Sequence, residues 1–117
     1  MEITHETLEN GIFRVYLSGR MDVLGAQAID LKFTALTATK KAFILVDMSD
    51  VSFLASLGMR TLIFSAKALA SRGGSMVLFN PQANVLDVLE TSGVSSLIQI
   101  HHDLDLAIDA LIKQQEE

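Results

Sequence analysis

The sequence predicts an α/β fold: one domain over residues 1–117, an N-terminal β-hairpin then three βα units, on a mixed sheet with helices mainly on one face. Three observations predict it. Residues 1–18 alternate in character about an Asn10-Gly11 pair, the strongest short-range hairpin signal. The run from Ala42 to Asp47 is almost continuously apolar, as in a central strand covered on at least one face. Between and after these strands, apolar residues recur at three- and four-residue spacing, the helical period.

The elements follow in order. Ile3, His5 and Thr7 alternate with acidic residues as in an edge strand, and Ile12 to Ser18 places Phe13, Val15 and Leu17 on one face. A first helix begins near Asp22, well placed as its N-cap, with Ala26, Ile29, Phe33 and Leu36 as its stripe. After the strand at 42–47 and a short acidic turn, a second helix runs from Ser56 to Ser71. Its expected core stripe is Met59, Leu62, Ile63, Ala66, Leu69 and Ala70, and Gly73-Gly74 ends it. Ser75 to Phe79 is a short strand; Asn80-Pro81 turns into a helix carrying Val85, Val88 and Leu89, which stops at Gly93. Leu97 to Ile100 reads as the last strand. Asp103 caps a final helix with Leu104, Ala107, Ile108 and Leu111 inward. The order is ββαβαβαβα, with right-handed crossovers from the third strand on.

Composition narrows the function. The chain has 117 residues, is 50% hydrophobic and contains no cysteine. Disulfides, thiol catalysis and Cys-based metal centres are thereby excluded, and a reducing, cytoplasmic setting is expected. No basic-then-apolar leader opens the sequence, and runs such as AFILV are too short to span a bilayer. A net charge of −5 argues against binding a phosphate backbone.

Catalytic signatures are weak. Ala55-Ser56-Leu57-Gly58-Met59 is not a nucleophile elbow, and no glycine-rich phosphate loop follows a strand. His101-His102-Asp103 is the one metal-like cluster, yet adjacent residues on extended chain point opposite ways, so a surface loop and helix cap explain it better. Asp47 and Asp50 flank the turn before Ser56, where satisfying loop N–H groups is the expected role. No metal or cofactor is expected.

Two features remain. Ser56 opens a helix, where a hydroxyl can cap free N–H groups and where an added phosphate is electrostatically tolerated. On the same helix Leu57, Arg60, Phe64, Lys67 and Ala68 lie opposite the expected stripe, so two apolar residues flank an arginine on a wet face, as in a contact patch. Leu24, Ala28, Leu31 and Ala35 lie off the first helix's stripe; a homodimer or a partner is one way to cover them.

Three segments together resemble the STAS-domain family of anti-sigma factor antagonists over essentially the full length. Leu17-Ser18-Gly19-Arg20-Met21-Asp22 is similar to that family's L-x-G-x-[LM]-D turn. Residues 47–54, DMSDVSFL, are similar to its D-[LM]-S-x-[VL]-x-[FY]-[IM] strand and loop, and residues 56–62, SLGMRTL, to its S-[SA]-G-[LM]-x-x-L helix start. The resemblance implies that Ser56 is a phosphoacceptor, and that Gly19, Asp22, Ser52, Gly58 and Thr61 join Leu57, Arg60 and Phe64 in a partner-binding surface. It further implies a switchable ligand without enzymatic activity. The dephosphorylated form would bind an anti-sigma factor that is also a serine kinase, phosphorylation would release it, and a PP2C-type phosphatase would restore it. Two positions depart from the pattern: Ala55 stands where the family commonly has Asp, and Leu57 where it has a small residue. An interaction module that never cycles through phosphorylation, as a scaffold component or an accessory subunit of a membrane transport system, is the alternative.

Overall fold

The computed structural model describes residues 1–37 and 40–116. Its order is β1 (Glu2–Thr7), β2 (Phe13–Met21), α1 (Val23–Thr37), β3 (Phe43–Leu54), α2 (Ser56–Ser71), β4 (Ser75–Phe79), α3 (Ala83–Thr91), β5 (Gln99–His101) and α4 (Leu104–Gln115). The strands form one sheet in the order β1-β2-β3-β4-β5, antiparallel only between β1 and β2. The hairpin is as expected, although its connection is wider than two residues. Thr7 pairs with Phe13, and a 3-10 turn at Glu9–Gly11 reverses the chain with Asn10 and Gly11 at φ 63° and 75°. Asn and Gly are the residues that enter this left-handed region at least cost.

Alternation along the strands divides the core in two. Val15, Leu17, Ile44, Val46 and Leu78 point to one face, where Ile29 and Phe33 of α1, Leu62 and Leu69 of α2, and Val85 and Leu89 of α3 bury them. Leu45, Val77 and Phe79 point to the other face, where they meet Ala107 and Leu111 of α4 and Ile12 of the hairpin. Three helices thus share one face and the fourth covers the other. Burial on both faces is why the β3 sequence begins as an unbroken apolar run.

Four details depart from the sequence reading. β3 does not stop at Asp47 in an acidic turn; it continues to Leu54. The last strand is Gln99–His101, because Val94–Ser96 forms a 3-10 turn that leaves Leu97 61% exposed. His101 therefore ends a strand instead of lying in a loop. The buried stripe of α2 is rotated: Gly58, Thr61, Leu62, Ser65 and Leu69 are buried, Met59, Ile63 and Ala66 are half-buried, and Ala70 is exposed. The cause is α1, which packs side by side with α2 and covers its small polar flank as well as the sheet-facing one.

Thr61 satisfies its hydroxyl by donating to the Leu57 carbonyl at 3.1 Å, whereas the buried Ser65 Oγ has no partner among the described residues. A buried hydroxyl without a hydrogen bond costs about 1–3 kcal/mol. Ser65→Ala should therefore raise unfolding stability by about 1 kcal/mol in urea titrations. Leu62→Ala should lower it by about 2–5 kcal/mol.

Candidate functional site

The site begins where β3 outlasts its neighbour. β3 pairs with β4 from Phe43↔Ser75 to Asp47↔Phe79; beyond Asp47 it keeps only β2 as a strand partner. Along that remaining edge, two irregularities each insert one extra residue into β3, between Asp47 and Asp50 and between Val51 and Phe53. Such bulges bend and twist the strand they occupy. Gly19 sits at the second, at φ 113°, with its Cα hydrogens facing Met1, and a Cβ there would lie 3.3 Å from the Met1 Cα. Only glycine takes that conformation without strain.

The opposite edge of the extension is held by side chains. From the β4–α3 connection and the first turn of α3, Asn80 Nδ2 donates to Ser49 Oγ (3.1 Å), Gln82 Nε2 to the Ser49 carbonyl (2.9 Å) and Asn84 Nδ2 to the Ser52 carbonyl (2.9 Å). Two amides on backbone carbonyls thus stand in for the missing ladder, with a third on the Ser49 hydroxyl. Asn80 adopts φ 54° and its own N–H donates to the His101 carbonyl, which fixes the start of this clamp.

Asp47 anchors the base of the extension. Its Oδ2 accepts from Arg14 Nη2 at 2.7 Å and Nε at 3.2 Å, and its Oδ1 accepts from the Ser49 N–H at 2.9 Å. The Arg14 guanidinium also stacks on Tyr16 and Phe79, 4.8 and 5.4 Å from the ring centroids. Burial acts to raise the Asp47 carboxyl, but hydrogen bonds from Ser49 and Arg14 outweigh it and hold the pKa below the usual carboxylate range.

At its far end the extension turns into α2. The Ala55 N–H donates to the Met21 carbonyl at 2.9 Å, tying the turn to β2. Gly58 lies flat on the strand ends: a Cβ there would come within 2.8 Å of Met21 Cγ and 2.9 Å of Leu54 Cδ1. Ser56 is not the cap that the sequence suggested. Ala55 occupies the N-cap position with no side-chain hydrogen bond, and Ser56 is the first helical residue. Its side chain is exposed, with no protein hydrogen bond to its hydroxyl among the described residues. The first N–H groups of α2 are therefore left without a side-chain acceptor, at the positive end of the helix dipole.

Apart from Gly19 at the β3 bulge, the expected contact residues and Ser56 fall into four groups. Ser52, Ser56, Arg60 and Phe64 are exposed, Phe64 to 61%; the last three run along one solvent-facing ridge of α2, and Ser52 lies on the β3 extension that leads to it. Leu57 is half-buried; with Thr61, Ala26, Gln27 and Asp30 it lines a cavity of about 250 Å³ between α1 and α2, rather than standing on the open face. Gly58 and Thr61 are buried beneath the ridge. Asp22 belongs to the neighbouring helix: its Oδ1 accepts from the Gly25 N–H at 2.8 Å, a bond that lowers its pKa, while its Oδ2 lies 3.5 Å from Arg20 Nε.

Sequence reasoning missed Arg20 and Phe53, which meet beside the ridge with the guanidinium 4.4 Å from the ring centroid. It missed the amide clamp too. The alternate spacing of Asn80, Gln82 and Asn84 was visible, but it has meaning only once β3 is known to outrun β4. Asp103 does cap α4, accepting from the Leu106 N–H at 3.1 Å. No helix among the described residues is long and apolar enough to cross a membrane.

A sheet extension braced on both edges thus presents a serine and a solvent-facing helix ridge. The chain belongs to the STAS domain family, whose profile matches residues 6–107. It is 28% identical over 92 residues to the anti-sigma-B factor antagonist of Bacillus subtilis, spanning 79% of this chain and 83% of that one. It shares its fold with the Bacillus anti-sigma factor antagonist SpoIIAA. The unphosphorylated form superposes with a TM-score of 0.77 at 20% identity over 96% of this chain and 97% of that one, and the phosphorylated form with 0.68 at 20% identity over 93% and 98%. The same fold occurs in the murine anion transporter Slc26a9, with a TM-score of 0.73 at 19% identity, spanning 92% of this chain but 18% of the transporter.

The depressed Asp47 pKa makes stability depend on pH in a defined window. The ionised carboxylate stabilises the fold fully above its ordinary value of 3.8, and that contribution is lost as pH falls through the lower folded value. Asp47→Asn should cost about 2–3 kcal/mol near neutrality, since it leaves Arg14 without its partner. Its unfolding free energy should also fall less steeply than the wild type's below about pH 4. Equal acid slopes in the two proteins would contradict the assignment.

Proposed function

We propose that this protein is an anti-sigma factor antagonist that works by partner switching. In this reading the ridge Ser56–Arg60–Phe64, with Ser52 on the strand leading to it, docks on an anti-sigma factor that is also a serine kinase, and the kinase phosphorylates Ser56. The phosphorylated chain dissociates, and a PP2C-type phosphatase returns it to the binding form. The protein acts in the cytoplasm as ligand and substrate, not as an enzyme. The observation that carries the proposal is the exposed Ser56 hydroxyl at the first position of α2, one turn from Arg60 and two from Phe64.

The physical chemistry supports a switch there. A phosphate of about −1.5 to −2 charge at the helix N-terminus meets unpaired N–H groups, so the folded chain tolerates it. The same phosphate places bulk and charge in the middle of the docking ridge, where charge mismatch weakens association. Gly58 and Thr61 serve this surface from below, setting the height and angle of the first turn. Gly19 serves it through the bulge that bends β3 towards Ser56.

One observation favours a second reading. Ala55 gives α2 no side-chain cap, whereas the commoner aspartate would supply an acceptor. A domain that docks through the same ridge without phosphorylation, as a scaffold component or transporter accessory subunit, is compatible with that loss.

Incubation with its partner kinase and ATP, read by intact mass, separates the two. The first reading expects one added phosphate on the wild type and none on Ser56→Ala. An unmodified wild type, or a phosphate that persists on Ser56→Ala, sinks it. Either reading expects Phe64→Asp and Arg60→Glu to weaken partner binding about tenfold or more while thermal unfolding stays nearly unchanged.

A further inference from the structure

Where β4 leads into α3, three residues out of five are poorly used by their own surroundings. Asn80 sits at φ 54°, in the left-handed region that disfavours any side chain. Gln82 holds the N-cap position of α3, yet makes no capping hydrogen bond, and glutamine is not among the side chains that cap well. Asn84, at the second helical position, leaves the free N–H groups of its helix alone and donates to the Ser52 carbonyl. All three side chains reach for β3 instead. A left-handed asparagine next to an uncapped helix marks a constraint set by another part of the molecule.

The recipients show what the constraint is. Ser49 lies in the first bulge of β3, and the Ser52 carbonyl stands four residues before Ser56. β2 holds the other edge of this stretch and ends on the Ala55–Met21 hydrogen bond. A bulged strand held along one edge is free to twist about it; a second held edge fixes its path. The body of α2 is placed separately, by Gly58 against Met21 and Leu54 and by its contact with α1. Asn80, Gln82 and Asn84 are exposed, so water competes for their hydrogen bonds and the fold gains little from them. What they fix is the path of the chain into Ser56.

Resting on the proposed phosphorylation of Ser56, we infer that Gln82 and Asn84 are positioning residues for that reaction. In the transfer, Ser56 Oγ forms a bond to the γ-phosphorus of ATP while the bond from that phosphorus to the β–γ bridging oxygen breaks. ADP leaves with the electron pair, and the hydroxyl proton passes to a base on the kinase. Attacking and leaving oxygens must lie in line, and an offset of about 1 Å can lower the rate about 10²-fold. Docking is less exacting. Arg60 and Phe64 ride on the body of α2, one and two turns beyond the serine. The two amides therefore set the rate of transfer, and the ridge sets the affinity.

Single-turnover phosphorylation of the full chain tests this, with the partner kinase in excess, saturating ATP and intact mass as the readout. Gln82→Glu and Asn84→Asp keep each side chain's size, remove its donor and set a carboxylate at the N-terminus of α3, where the helix dipole favours it. Both should melt close to the wild type by circular dichroism. The maximal rate should fall about tenfold in each and further in the double variant, while the half-saturating kinase concentration stays within about twofold. Ala83→Asp, at the exposed position between them, adds the same charge with the brace intact and should match the wild type. A wild type that takes up no phosphate overturns the kinase reading and this inference together. A phosphorylated wild type whose maximal rate both variants match overturns this inference alone. So does a rate loss shared by Ala83→Asp, accompanied by an equal loss of docking, or accompanied by loss of the fold.

Discussion

Everything at the serine depends on a strand that runs past its neighbour. β3 leaves β4 at Asp47 and still has to deliver Ala55 to the start of α2. An extension with one bare edge would expose a row of unpaired backbone groups and would bend freely. Here one edge is bonded to β2 through two bulges, and the other is caught by the amides of Gln82 and Asn84, with Asn80 on the Ser49 hydroxyl. The Arg14–Asp47 pair fixes the point of departure, and the Ala55–Met21 hydrogen bond fixes the point of arrival. The amides tolerate a bent path that backbone pairing would not, because side-chain donors can follow a twisted strand.

The same logic explains why the first turn of α2 is both exposed and firmly placed. Gly58 allows the helix to lie directly on Met21 and Leu54, and α1 closes over Thr61 and Ser65 from the side. That packing uses small and polar residues, leaving the bulkier Phe64 and the cations for solvent. It also leaves the helix N-terminus electrostatically incomplete, since Ala55 offers no acceptor. An anion added at Ser56 would complete it. In the proposed switch the folded chain gains where the docking surface loses.

How much of this could be read from the sequence follows from how local each feature is. The hairpin, the Asp103 cap and the apolar start of β3 are local: Asn10-Gly11, one capping oxygen and a run of β-formers suffice. The exposure of Arg60 and Phe64 is legible for the same reason, whereas Leu57, expected on the same open face, is half-buried, and Ala55 takes the N-cap position expected of Ser56. The length of β3 was not legible, because the two bulges break the alternation that marks a strand, so Ser49 to Phe53 reads as a turn. The true buried flank of α2 was hidden as well, since nothing local says that Thr61 and Ser65 will be covered by another helix. Leu97 was assigned to a strand on hydrophobicity alone, whereas the turn at Val94–Ser96 turns it outward. The clamp at Asn80, Gln82 and Asn84 required knowing both strand ends at once.

The central claim is that one phosphate at Ser56 opposes docking through the ridge of α2 without disturbing the sheet that presents it. Isothermal titration of the partner kinase with the unphosphorylated chain and with the chain homogeneously phosphorylated at Ser56 tests it most directly. The account predicts affinity weaker by about tenfold or more for the phosphorylated chain, with its thermal unfolding temperature equal to or above that of the unphosphorylated one. Equal affinities, or weaker binding accompanied by loss of the fold, would contradict it.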